Sequence, residues 1–123
     1  MDIRKKQRSV VQALEDVKGR DIVVYNVARL SPIFERVVIA TGDSTRHVRA
    51  LAESVHDRLK ALGASVRGIE GRTGSDWVLV DLGDVVVHVM HSNARHYYNL
   101  EELWGGKVVR LKRVPAVRRR VRR

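Results

Sequence analysis

The sequence feature that most constrains the fold is a pair of β-branched runs, residues 77–82 and 85–91, separated by Gly83-Asp84. Two such runs joined by a glycine-containing turn predict a β-hairpin. Both runs are apolar at alternate as well as adjacent positions, so neither strand has a polar face for solvent. We therefore expect both strands to lie in the interior of a sheet.

A short helix is predicted after the hairpin, over residues 94–104. Ser92 or Asn93 can cap its start, and Gly105-Gly106 can stop it. A short terminal helix buries only one stripe against a sheet, so some of its rings should stay at the surface, where they would suit a protein–protein contact. The residues leave open the alternative that all of these rings cover the core. At helical spacing, one side of this helix carries Tyr97, Leu100, Glu101 and Trp104, whereas Tyr98 and Leu103 lie outside that side.

The rest of the chain predicts two more helices and three more strands, in the order α-β-β-α-β before the hairpin and last helix. The strand–helix–strand unit over 36–70 predicts a parallel pair with a right-handed crossover, and the hairpins predict antiparallel pairs. The fold class is therefore α/β, a mixed five-stranded sheet with flanking helices. The helices are predicted over 6–18 and between Ser44 and Gly63, and the strands over 21–27, 36–40 and 66–70.

Length and charge indicate one globular domain with a basic tail. The chain has 123 residues and a net charge of +10, but residues 107–123 hold nine Lys/Arg and no acid. The whole chain has 24 basic and 14 acidic residues, so residues 1–106 contain 15 basic and 14 acidic residues and are nearly neutral. We expect residues 1–106 to form the domain and residues 107–123 a flexible tail, which either assists binding to RNA or only solubilises the protein.

The composition also limits the cellular setting and the chemistry. There is no cysteine, so disulfides and thiolate metal sites are excluded. No apolar run reaches the length of a membrane span, and the first residues lack the apolar stretch of a signal peptide. We expect a cytoplasmic protein without membrane contact.

The segment Thr41-Gly42-Asp43-Ser44 is the one candidate for binding a phosphate, because it presents backbone N–H groups at a helix start. It lacks the spacing of a P-loop or of a dinucleotide fingerprint, and Asp43 places negative charge where a phosphate would sit. A glycine-containing turn followed by an N-cap is the favoured interpretation.

Histidines and carboxylates do not combine into a predicted metal or catalytic site. No Asp-x-Asp and no Gly-x-Ser-x-Gly occurs. We therefore predict no cofactor, no metal and no enzymatic activity. Strand alternation and helical spacing place the members of each candidate pair on opposite sides: the pairs are His88 with His91, His47 with His56, and Asp76 with Asp81.

Several short motifs between residues 6 and 104 together carry a family resemblance, through both their order and their spacing. They are Lys18-Gly19-Arg20-Asp21-Ile22, Ala40-Thr41-Gly42, Glu70-Gly71 followed by Trp77, and the run 81–90 followed by Arg95, Tyr98, Leu100-Glu101 and Leu103-Trp104. This set resembles the Iojap family of ribosomal silencing factors.

The resemblance implies a translational repressor that is not an enzyme, with a fold related to nucleotidyltransferases but without their catalytic carboxylates. It implies binding to the large ribosomal subunit through ribosomal protein number fourteen, and a steric block to joining of the small subunit when nutrients are short. A homodimer of the free protein is left open. The implied partner-binding residues are Trp77, Arg95, Tyr98, Leu100, Glu101, Leu103 and Trp104.

Two further hypotheses accompany this interpretation. The basic tail is not part of the resemblance, and we expect it to touch ribosomal RNA beside the protein contact. The alternative function is a nucleotide-binding or nucleotidyltransferase-like enzyme that uses the Gly42–Ser44 turn. The tail residues expected to contact RNA are Lys107, Arg110, Lys112, Arg113, Arg118, Arg119 and Arg120.

Overall fold

The computed structural model describes residues 1–71, 74–100, 102 and 109, and the account below concerns these residues. The predicted α/β class and the order of the elements are confirmed. The elements are helix α1 (Ile3–Asp16), strands β1 (Arg20–Asn26) and β2 (Arg36–Gly42), helix α2 (Thr45–Ala61), strands β3 (Gly68–Glu70), β4 (Trp77–Asp81) and β5 (Val85–His91), and helix α3 (Ser92–Tyr98).

The five strands form one mixed sheet with the spatial order β1-β2-β5-β4-β3. Strands β2 and β5 are parallel, and the neighbouring pairs on either side are antiparallel. The predicted hairpin of β4 and β5 and its interior position are confirmed. The adjacent parallel pair expected within 36–70 is wrong, because the apolar hairpin takes the centre and separates β2 from the short edge strand β3.

Helices α1 and α2 lie side by side on one face of the sheet. Leu14, Leu51 and Leu59 are fully buried in the core between these helices and the strands. The Ser54 hydroxyl donates to the Ala13 carbonyl at 2.9 Å and joins the two helices directly. The apolar side of α2 therefore faces the sheet, as the helical spacing of its buried residues requires.

Helix α3 is shorter than predicted, and its limits differ from those expected. The His91 side chain, rather than Ser92 or Asn93, caps its start by accepting the Asn93 N–H at 3.3 Å. The helix ends where Asn99 adopts the left-handed conformation, with φ of 49°, which asparagine tolerates better than most residues. The prediction that Tyr97 and Leu100 share one side of a continuous helix is therefore wrong.

One residue of the predicted tail, Val109, is described. Its N–H donates to the Val24 carbonyl of edge strand β1 at 2.7 Å, and its side chain packs against the core below the helices. The other residues of the segment 107–123 lie outside the described part of the chain, so their flexibility stays a prediction.

A partly buried ion pair joins α1 to the hairpin turn. The Lys6 ammonium lies 2.6 Å from the Asp84 carboxylate, and its side chain is 9% exposed against 37% for Asp84. Lys6 also donates to the Leu82 carbonyl at 3.2 Å. The Asp84 carbonyl accepts the N–H groups of Glu35 and Arg36 at 2.8 and 3.1 Å, so the turn holds α1 and the start of β2 together.

Replacing Asp84 with asparagine should lower the free energy of unfolding, because the Lys6 ammonium then stays buried without its counter-ion. We expect a loss of about 2 kcal/mol, below the ~3–5 kcal/mol of a fully buried pair, since Asp84 is partly exposed. Urea unfolding of Asp84→Asn, with Asp76→Asn as the control, measures this loss in the free energy of unfolding. Asp76 is exposed, so its variant should change little, and equal losses in the two variants would contradict the role of the pair.

Candidate functional site

The face of the sheet opposite α1 and α2 carries a second apolar cluster. Trp77 and Leu100, two of the predicted partner-binding residues, pack against this cluster and remain partly exposed. Its buried members are Tyr25, Val27, Val37, Ile39, Met90 and Ala94, with Val23 and Phe34 also packed against it.

Strand register places Trp77 on this face beside the central strand β5. Trp77 of β4 is paired with Met90 of β5, and Leu79 is paired with His88. His88 is paired with Ile39 on its other side. Trp77 and His88 are therefore diagonal neighbours on the same face, within reach of each other's rings.

The indole of Trp77 is held by His88. Its Nε1–H donates to His88 Nδ1 at 2.9 Å, and the ring centroids lie 5.7 Å apart with the planes tilted by 46°. An indole N–H can only donate, so Nδ1 must be unprotonated and the neutral imidazole carries its proton on Nε2. Burial lowers the pKa of His88 to about 4, which keeps the ring neutral near pH 7.

The backbone at the start of β4 is fixed as well. The Ser75 hydroxyl accepts the Trp77 N–H at 3.1 Å and donates to the Trp77 carbonyl at 2.8 Å. The His91 N–H donates to the Asp76 carbonyl at 2.8 Å, which joins this start to the residue that caps α3. Trp77 and α3 are thus held at the same end of the sheet.

Arg95 ties α3 to the first two strands. Its guanidinium donates to the Asp21 carbonyl at 2.6 Å and to the Thr41 hydroxyl at 2.8 Å. These bonds position the helix, a role that sequence reasoning missed because residues 21, 41 and 95 are far apart in the chain. A contact of Arg95 with a partner stays a prediction.

We call this end of the second face the β4–α3 surface, defined by Trp77, His88, Arg95 and Leu100 with Tyr98 at the end of α3. The Tyr98 backbone is described but its side chain is not. The other predicted contact residues lie outside the described residues: they are Glu101, Leu103 and Trp104, and in the tail Lys107, Arg110, Lys112, Arg113, Arg118, Arg119 and Arg120.

The turn between β2 and α2 is closed by its own side chains. The Asp43 carboxylate pairs with the Arg20 guanidinium at 2.6 Å. The Asp43 N–H donates to His47 Nδ1 at 2.8 Å, and His47 Nε2 donates to the Val17 carbonyl at 2.6 Å. Ser44 caps α2 by accepting the His47 N–H at 3.0 Å. The N–H groups of Asp43 and His47 are therefore already bonded.

This geometry favours a structural turn over a nucleotide site. A Cβ on Gly42 would lie 2.9 Å from both the Val48 backbone nitrogen and its Cγ2, so glycine is needed for the turn to approach α2. The Asp43 carboxylate adds repulsion for a phosphate. The capping interpretation agrees with both observations.

Two carboxylates of the hairpin also have structural partners. Asp81 accepts the Gly83 N–H at 2.9 Å, and Asp84 pairs with Lys6. Within the described residues, no three His, Asp or Glu side chains are grouped so that they could hold a metal ion. In the same part of the chain, no helix combines the length and the apolar character needed to cross a bilayer.

Comparison with known proteins identifies the family. The sequence model of a family described as "Ribosomal silencing factor during starvation" matches residues 1–122. The chain belongs to this family of ribosomal silencing factors. The resemblance inferred from the motifs is thereby confirmed.

Individual ribosomal silencing factors match along most of their length. The factor from Chromobacterium violaceum is 49% identical over 107 residues, which are 87% of this chain and 88% of that protein. The factor from Haemophilus influenzae is 40% identical over 95 residues, 77% of this chain and 93% of that protein. A crystal structure of a Chromobacterium violaceum protein superposes with a TM-score of 0.84 at 46% identity, covering 94% and 96% of the two chains.

The stability of this silencing factor should fall as the pH drops from about 6.5 to about 4. His88 is neutral in the native state, whereas in the unfolded chain it takes up a proton near its ordinary pKa of 6.5. Protonation therefore favours unfolding, by about 2 kcal/mol at pH ~4.5 relative to pH ~7.5. Urea unfolding of the wild type and His88→Gln at the two pH values checks this. If the variant loses as much stability as the wild type, His88 is not the cause.

Proposed function

We propose that the protein binds the large ribosomal subunit through the β4–α3 surface and so prevents joining of the small subunit. Membership of the ribosomal silencing factors supports a role at the ribosome. The observation that carries the site is the Trp77 indole, which is partly exposed and yet held by His88 at 2.9 Å. A large ring that is fixed before binding loses little conformational freedom in a complex, which is a property of interface anchors.

The proposed partner on the large subunit is ribosomal protein number fourteen. Trp77, Tyr98 and Leu100 would supply the apolar anchors, and Glu101 would pair with a basic residue of the partner. Arg95, by holding α3 against β1 and β2, keeps the segment that carries Tyr98 and Leu100 in place. The flanking residues Leu103 and Trp104 complete the proposed contact.

Silencing by this route is steric and involves no chemical step. A protein bound where the two subunits meet excludes the small subunit for as long as it stays bound. Repression of translation when nutrients are short then depends on the amount of the factor and its affinity. We propose accordingly that the protein acts in the cytoplasm as a repressor and not as an enzyme.

Truncation of an anchor should relieve the block. We expect Trp77→Ala and Tyr98→Ala each to weaken binding to purified large subunits by 2 kcal/mol or more, about thirtyfold in the dissociation constant. Sedimentation of mixed subunits through sucrose gradients follows joining directly. The matched control is Leu62→Ala, which truncates an exposed apolar side chain at the far end of α2.

Two outcomes would count against the proposal. Joining that proceeds unimpeded with wild-type protein, without sedimentation of the protein on the large subunit, would remove the function. Normal binding by both anchor variants, with circular dichroism showing an intact fold, would remove the site.

We further propose that the tail strengthens docking through ribosomal RNA. The nine Lys/Arg of residues 107–123 are the part of the sequence whose charge is not balanced by acids. Replacing Arg118, Arg119 and Arg120 with glutamine leaves Val109 on β1 and removes three charges. Because each phosphate contact adds roughly 0.7–0.9 to the slope of log affinity against log salt, we expect a slope smaller by about 2. An unchanged slope over a potassium chloride series would contradict the RNA contact.

A further inference from the structure

His88 uses only one of its two ring nitrogens within the described part of the chain. Nδ1 accepts the Trp77 indole N–H at 2.9 Å, which leaves the proton of the neutral ring on Nε2. No hydrogen bond from His88 Nε2 to a protein atom occurs among the described residues. The contact with Trp77 therefore fixes the orientation of the His88 ring. It also leaves the Nε2–H group of His88 available to donate a hydrogen bond.

The neighbours of His88 within the sheet are apolar. His88 lies between Ile39 of β2 and Leu79 of β4 in the sheet register. Val86 and Met90 precede and follow it on the same face of β5, and the His88 ring is only partly exposed. A polar N–H that loses water in such a setting costs free energy unless an acceptor replaces the water.

We propose that His88 is a specificity-determining residue of the β4–α3 surface: Nδ1 orients the Trp77 indole, and Nε2–H donates to an oxygen acceptor on the bound ribosomal protein. This inference rests on the proposed function, because the acceptor belongs to the partner that the surface binds.

The Nε2–H donor of His88 discriminates between partners in two ways: it adds a hydrogen bond to a partner with a suitable acceptor, and it adds a free-energy cost to a partner without one. A partner that covers the face without placing an oxygen near His88 leaves a buried donor unsatisfied. A partner with a carbonyl or carboxylate oxygen there regains the bond. Neutral histidine suits this position because one ring accepts from an indole and donates to a partner at the same time.

A double-mutant cycle between His88 and Trp77 separates the two roles. The variants are His88→Phe, which keeps a planar ring without either nitrogen, Trp77→Phe, and the double variant. His56→Phe on α2 is the matched control, since His56 is also partly buried but lies on a helix outside this surface. The readouts are affinity for purified large subunits and the indole N–H proton resonance of Trp77, assigned by its absence in Trp77→Phe.

We expect His88→Phe to move the Trp77 indole resonance and to weaken binding by about tenfold or more, while His56→Phe does neither. In the Trp77→Phe background, His88→Phe should still weaken binding by about threefold or more, because the direct bond from Nε2 is lost there too. His88→Asn, which keeps an acceptor for the indole, should restore the resonance but not the full affinity.

Three results would overturn the inference. Unchanged affinity of His88→Phe would exclude any role in binding, and an unmoved indole resonance would exclude positioning of Trp77. No effect of His88→Phe in the Trp77→Phe background would exclude donation to the partner. Failure of the proposed function is distinguishable, because wild-type protein would then not bind the large subunit at all.

Discussion

The structure depends on the pairing of β5 with strands on both of its edges. Seven residues of β5 pair in parallel with β2, and five pair antiparallel with β4. Its alternate residues Val85, Val87 and Val89 are buried beneath the two long helices. Its other residues face the second cluster. Any shift of register by one residue would exchange these two sets, so the helix-covered core and the β4–α3 surface are specified together.

The two faces of the sheet differ in how completely they are covered. On one face, α1 and α2 bury most of the strand residues, so this face supplies most of the stability of the fold. On the other face, α3 covers one end, and Trp77, Leu79 and His88 remain partly exposed. An apolar face with partly exposed rings is suited to binding another protein, which is the role proposed for the β4–α3 surface.

Three polar side chains bring together segments that are distant in sequence. His47 bonds the start of α2 to the end of α1, Arg95 bonds α3 to β1 and β2, and His88 bonds β5 to Trp77. Each of these side chains bonds to a specific backbone, hydroxyl or ring atom. These bonds give precise positions to elements whose apolar packing alone would allow sliding.

Hydrophobic periodicity and turn residues are local signals, so the fold class, the order of elements, the hairpin and its interior position could all be predicted from the sequence. The motifs also determined the family. The neighbours of each strand could not be predicted in this way, since the placement of β5 between β2 and β4 depends on contacts between distant segments. The end of α3 at Asn99 and the bonds of Arg95 and His88 at the β4–α3 surface likewise became known only from the folded structure. Arg95 bonds to Asp21 and Thr41, which lie more than fifty residues away in the chain. A spacing rule within one element cannot reveal such bonds.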